Sequence, residues 1–194
     1  LMMLLSSFRY LVFFFAALLS SWLGVKDAWA LKGEDLLALC SESGPEAIRA
    51  VRQALEEGAE VNYSGPGGLR PLMVFVGSHN ETELEAAAVL KIFLSAGAEV
   101  NARSDDGATA LSYAVLRQSG PRLISILLRQ GADPNLGVSS RGGLTPLMIA
   151  AGVEPDPLVS ALLIAAGANT DLKAERQGQS IGLKELAERN PNPK

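Results

Sequence analysis

Gly97-Ala98-Glu99-Val100-Asn101 decides how this chain is read, because it recurs. Gly58-Ala-Glu-Val-Asn62 precedes it, and Gly131-Ala-Asp-Pro-Asn135 and Gly167-Ala-Asn-Thr-Asp171 follow, at spacings of 39, 34 and 36 residues. A second motif runs in phase with the first: Arg70-Pro-Leu-Met73, Thr109-Ala-Leu-Ser112, Thr145-Pro-Leu-Met148 and a degenerate Ser180-Ile-Gly-Leu183. Two phased motifs at a period of a few tens of residues are the signature of a repeat architecture, in which each unit buries its apolar face only against its neighbours.

The chemistry of one unit can be read from the motif outward. Each Gly-Ala step follows an apolar pair, Ala54-Leu55, Phe93-Leu94, Leu127-Leu128 or Leu163-Ile164, at the end of a helical pattern. A glycine just past a helix adopts the left-handed conformation that ends it without a Cβ clash. The matching starts are Pro45 after Ser43-Gly44, Pro121 after Ser119-Gly120, Pro157 after Asp156, and Asn80 with Glu83 in capping-box spacing. The Asn or Asp that closes each Gly-Ala motif is expected to bond its own backbone in a tight turn, after which Thr or Ser with Pro opens a second, shorter helix. The predicted unit is turn, helix, helix.

These motifs resemble the ankyrin repeat, with its period near 33 and its Thr-Pro-Leu-His and Gly-Ala-Asp-x-Asn signatures. The likeness covers about residues 31–190 and is closest in Gly107-Ala-Thr-Ala-Leu-Ser-Tyr-Ala114 and Gly143-Leu-Thr-Pro-Leu-Met-Ile-Ala150. It implies an all-α solenoid of stacked helix-turn-helix units with β-turn or hairpin tips, four repeats plus a terminal half-repeat cap. The units run about 33–62, 63–101, 102–135 and 136–171, with a cap at 172–190 that keeps one amphipathic helix around Leu183, Leu186 and Ala187. The signature histidine is replaced by Met73, Ser112 and Met148, so packing is expected to substitute for its hydrogen bonding. Unit two carries about five extra residues, placed between its helices near residues 77–85.

Composition narrows the function. The 194 residues are 48% apolar and 20% charged, which suits a folded core and excludes a disordered chain, and aromatics at 6% make that core mainly aliphatic. Net charge is −4, or −5 without residues 1–30, so no nucleic-acid groove is expected. One Cys and one His exclude a Cys/His zinc site, an internal disulfide and any two-histidine mechanism. No cofactor and no metal are expected.

Residues 1–30 read as an export signal, with Arg9, the apolar run Leu11–Leu19, and Ala28-Trp29-Ala30 as the cleavage site after Ala30. The alternative is a retained membrane anchor, against which stands the length of the apolar segment: residues 10–23 span about 21 Å as helix against roughly 30 Å of hydrocarbon. Residues 31–194 form the repeat domain. They are expected in the periplasm or outside the cell, free of the membrane after cleavage and monomeric on their own.

His79 with Ser78, Asn80, Glu81 and Glu83 would suit acid–base or metal chemistry, but acidic residues in a first helical turn complement the helix dipole and explain the cluster structurally. Asn80-Glu81-Thr82 matches a glycosylation acceptor, which matters only in a eukaryotic secretory pathway. Cys40, inside the apolar run Leu36-Leu-Ala-Leu-Cys40, reads as a small core residue, with no base near it in sequence. Gly65-Pro-Gly-Gly-Leu-Arg70 lacks the Lys-Ser/Thr of a nucleotide loop and reads as an inter-repeat turn. The resemblance implies partner binding on a concave face, toward which the residue after the signature histidine points: Val74, Tyr113 and Ile149. The alternative is that these three fill gaps between helices. Each is worth roughly 1.5–3 kcal/mol if buried, against an association cost of about 4–15 kcal/mol. Tip residues Tyr63, Arg70, Arg103, Asp105, Asp106 and Arg141 are therefore expected to add contacts with an unidentified partner protein, and no catalytic residue is assigned.

Overall fold

The computed structural model describes residues 33–42, 44–78, 83–152, 156–176 and 178–188. Ala30 and the segment before it, His79 and the Asn80-Glu81-Thr82 pattern lie outside these residues. At each repeated Gly-Ala step the same helix end forms. Gly58, Gly97, Gly131 and Gly167 have φ between 86° and 89°. The alanine that follows each of them donates its N–H to the carbonyl five residues back, all at 3.0 Å: Ala59 to Ala54, Ala98 to Phe93, Ala132 to Leu127 and Ala168 to Leu163. Four sequence-distant segments thus share one local geometry, as the phased motifs predict.

Those helix ends close an outer row of helices, α2 (Pro45–Glu56), α4 (Glu83–Ser95), α6 (Pro121–Arg129) and α8 (Pro157–Ala165). An inner row holds α1 (Gly33–Ser41), α3 (Pro71–Ser78), α5 (Ala110–Leu116), α7 (Pro146–Gly152) and α9 (Leu183–Glu188). Each helix packs on the members of its own row before and after it, and α1, α3, α5 and α7 also pack on the outer helix that follows. The expected starts hold: Gly44 and Gly120 precede N-terminal prolines, and the Asp156 carboxylate accepts the Leu158 N–H at 2.9 Å.

The core runs continuously along the stack. The first member of each apolar pair, Ala54, Phe93, Leu127 and Leu163, is fully buried, and Phe93 meets Phe75 with ring centroids 5.1 Å apart. Ile164, the second member of the last pair, is 52% exposed, and among the described residues no outer helix follows α8 to cover it.

Four expectations need correcting. The asparagine closing each Gly-Ala motif bonds the next unit, not its own backbone. Asn62 Nδ2 donates to Gly97 O at 2.9 Å and its Oδ1 accepts from Glu99 N at 2.9 Å. Asn101 does the same with Gly131 and Asp133, both at 2.8 Å, and Asn135 with Gly167 at 3.1 Å and Asn169 at 2.7 Å. The turn after each glycine presents a carbonyl and an N–H at the spacing of one primary amide, which satisfies both.

The second correction concerns unit two. Helix α4 has 13 residues against 9 in α6, so most of the extra length is a turn of helix and not a longer connection. That turn carries Glu83 over the start of α6, where its carboxylate accepts the Arg122 N–H at 2.5 Å. This donor is one of the free N–H groups of a first helical turn, and Pro121 before it has none to offer.

Third, Ser112, at one of the lost histidine positions, keeps hydrogen bonding within its own unit, and among the described residues none of its side-chain bonds reaches a neighbouring turn. Thr109 and Ser112 form a reciprocal capping box, with Thr109 N donating to Ser112 Oγ at 2.7 Å and Ser112 N to Thr109 Oγ1 at 3.3 Å. Met73 and Met148 are buried, as the packing expectation requires.

Fourth, the degenerate motif at residues 180–183 opens its helix late, with α9 starting only at Leu183. Ser180 to Gly182 lie in β2 (Gln179–Gly182), antiparallel to β1 (Lys173–Arg176), with Ala174 opposite Ile181. These two residues join Met148 and Leu186 in a small terminal core that closes the inner row.

Candidate protein-binding face

Between the repeated helix ends and the inner helices the chain makes a tip in each unit. Gly65 N donates to Leu69 O at 2.9 Å, Ser104 N to Ala108 O at 2.9 Å, and Val138 N to Leu144 O at 3.0 Å; the β1–β2 hairpin is the last tip. Consecutive tips are bonded to each other through Asp105 N to Gly67 O at 2.9 Å, Ser140 N to Asp106 O at 3.1 Å and Glu175 N to Gly142 O at 2.8 Å. The tips therefore form one continuous edge that holds its side chains in fixed register.

The candidate residues divide by what the fold does with them. Tyr63 is half-buried and lies against Gly33 at the start of α1, where any side chain on that glycine would overlap its ring. Arg70 is half-buried, donates to the Asn62 carbonyl, and keeps its Nε buried without a hydrogen-bond partner. Arg103 reaches across to the next tip and donates to Gly137 O at 2.8 Å and Ser139 Oγ at 3.2 Å. Asp106 accepts from the Ser104 hydroxyl and, at 3.4 Å, from Ala108 N. Asp105 is exposed beside Gly68, and Arg141 is exposed with no side-chain hydrogen bond or ion pair among the described residues.

On the inner helices Val74 and Tyr113 are half-exposed, but Ile149 is only 5% exposed. Its assignment to an open stripe is corrected. Helix α7 packs between α5 and α9, and Ile149 is covered there. The gap-filling alternative holds for Ile149.

Tyr113 is the centre of what remains. Burial, followed by the Asp106 carboxylate, holds its phenol above the ordinary value. The guanidiniums of Arg117 and Arg141 act in the opposite direction, and the Arg117 stem lies with the ring against Gly77 of α3. Arg117 was not among the residues chosen from sequence. Its signal was available, because it stands four residues after Tyr113 and so shares a helix face with it.

Cys40 is fully buried in α1, and burial pushes its thiol far above the ordinary range, which leaves it protonated and unreactive near neutral pH. Among the described residues no three His, Cys, Asp or Glu side chains gather to hold a metal ion, and no helix is long and apolar enough to cross a membrane. A family model described as ankyrin repeats (3 copies) matches residues 83–174.

Proposed function

We propose that this chain, which belongs to the ankyrin-repeat family, is an exported, non-catalytic module that binds a partner protein on the face formed by its inner helices and tips. Ankyrin repeats generally mediate protein–protein contact. The observation that supports this face is the pairing of half-exposed Val74 and Tyr113 on neighbouring inner helices with a tip edge whose backbone is bonded from unit to unit. A surface fixed in this way loses little conformational entropy on binding, so modest contacts yield more net affinity. The apolar run and the Ala28-Trp29-Ala30 sequence support export to the periplasm or beyond, where the protein would act as inhibitor, immunity or protective partner of another exported protein.

The test is capture of the native partner from the producing organism by crosslinking, followed by the same capture with Val74→Ala/Tyr113→Ala. Loss of capture with unchanged helical circular dichroism is expected, and unchanged capture overturns the assignment. Mass spectrometry of the native amino terminus bears on export. A chain beginning at Leu31 is expected, and retention of residues 1–30 favours the alternative of a membrane-anchored scaffold.

A further inference from the structure

The arginines of the tip edge and inner helices fall into two pairs. Arg70 and Arg103 are engaged by the fold, each donating to a backbone carbonyl. Arg117 and Arg141 are exposed and have no ion pair or side-chain hydrogen bond among the described residues. The Arg117 stem lies with the Tyr113 ring against Gly77, Arg141 follows Ser140, whose N–H is bonded to the Asp106 carbonyl, and both guanidiniums act on the Tyr113 phenol. The Asp106 carboxylate, which acts on the same phenol, accepts the Ser104 hydroxyl. Gly77 of α3 lies against the Tyr113 ring and the Arg117 stem, each 3.8 Å from the place its Cβ would occupy, so the two side chains share one contact on α3. The base of Arg117 is fixed as well, since Ser119 Oγ donates to Val76 O at 2.5 Å and ties the turn after α5 to α3.

Two unpaired guanidiniums beside a half-buried aromatic ring present fork-shaped donors next to an apolar surface. That pattern complements a carboxylate followed by an apolar side chain. A long polyanion fits poorly. The first unit, residues 33–62, carries seven acidic residues against two arginines, and would repel a nucleic acid or an anionic membrane laid along the stack. From these observations we infer that Tyr113, Arg117 and Arg141 form the centre of the binding face, and that its occupant is an extended segment of a partner protein bearing an Asp or Glu beside an apolar residue. The inference rests on the concave-face reading above and specifies the chemistry that face selects.

Panning a random peptide library displayed on phage against the full chain tests it. Selected peptides are expected to be enriched in Asp or Glu adjacent to aliphatic or aromatic residues. Arg117→Gln/Arg141→Gln should weaken a selected peptide about tenfold or more, and changing the peptide's own acid to its amide should do the same without adding to the first loss, as a direct charge-assisted pair requires. No acidic enrichment, or two losses that simply add, overturns the inference. If that happens while the selected peptides still lose binding to Val74→Ala/Tyr113→Ala, the concave face stands and only its acidic preference falls. Peptides indifferent to both double variants overturn the two together. Tighter binding of single-stranded DNA or phosphatidylglycerol vesicles than of any selected peptide, lost in Arg117→Gln/Arg141→Gln, would reassign the occupant.

Discussion

Replacing Asn101 by alanine removes two hydrogen bonds that join unit two to unit three, to Gly131 O and from Asp133 N, both 2.8 Å long. Both are exposed, so water can reach the freed groups, and each bond is worth about 0.5–1.5 kcal/mol. The expected loss is about 1–3 kcal/mol, a fall in Tm of roughly 2–10 °C for a domain of this size. Urea unfolding followed by circular dichroism at 222 nm measures it. The mechanism is separated from a general surface effect by two further variants. Asn101→Asp keeps an acceptor for Asp133 N but sets a carboxylate oxygen against the Gly131 carbonyl, so it should destabilise at least as much as alanine. Asp171 occupies the same place in the last unit, where no repeated turn follows, and Asp171→Ala should change stability by less than about 0.5 kcal/mol. Equal losses for Asn101→Ala and Asp171→Ala, or a milder effect of Asn101→Asp, would show that the inter-unit amide bonds are not what joins these turns.

Glu83→Ala should cost about 1 kcal/mol, typical of a lost helix cap, while Glu83→Gln, whose amide oxygen still accepts from Arg122 N, should cost less; urea midpoints decide. Ile149→Ala should destabilise by about 2–5 kcal/mol because it opens a buried site, yet leave the partner affinity of the folded fraction unchanged, in contrast to Tyr113→Ala. Cys40 makes stability fall in alkali. Its folded thiol titrates above its ordinary value of about 9, so the unfolded chain gives up the proton first. The contribution is complete below that value and is lost as pH rises past it, by up to about 1.4 kcal/mol per pH unit. In Cys40→Ala the decline between pH 9 and 11, read from urea midpoints, should be shallower, with the raised phenol of Tyr113 acting in the same direction from about pH 10.

Local signals carried most of the architecture. A glycine that must adopt positive φ, or a proline that must open a helix, announces itself in its own neighbourhood, and the four helix ends and most starts follow from such residues. What escaped the reading is what lies one unit away. Asn62, Asn101 and Asn135 each have a side chain suited to closing their own turn, and nothing nearby in sequence says that the next turn, 30 to 37 residues on, offers a better pair of partners. Glu83, chosen from sequence for its spacing from Asn80, also accepts from the start of α6, one unit on. At the candidate face, position within the motif identified Val74 and Tyr113 correctly as partly open. It overestimated Ile149, because exposure depends on what the neighbouring units lay over a position, and the motif does not record that. Arginines look alike in a sequence; only the positions of Gly137 and Asn62 reveal that Arg103 and Arg70 are occupied while Arg117 and Arg141 are not.

The seam formed by Asn62, Asn101 and Asn135 has a direction: each hook grips its successor, so a module can be spliced in wherever hook and eye still match. Duplicating residues 102–135 would preserve every asparagine join, with Asn135 of the first copy meeting the Gly131 eye of the second, and would leave the second copy of α6 without the Glu83 carboxylate. Excising the same cassette would bring Glu83 to the start of α8, where Asp156 already holds the Leu158 N–H, so that two acids would crowd one donor. This array is built to lengthen more readily than to shorten.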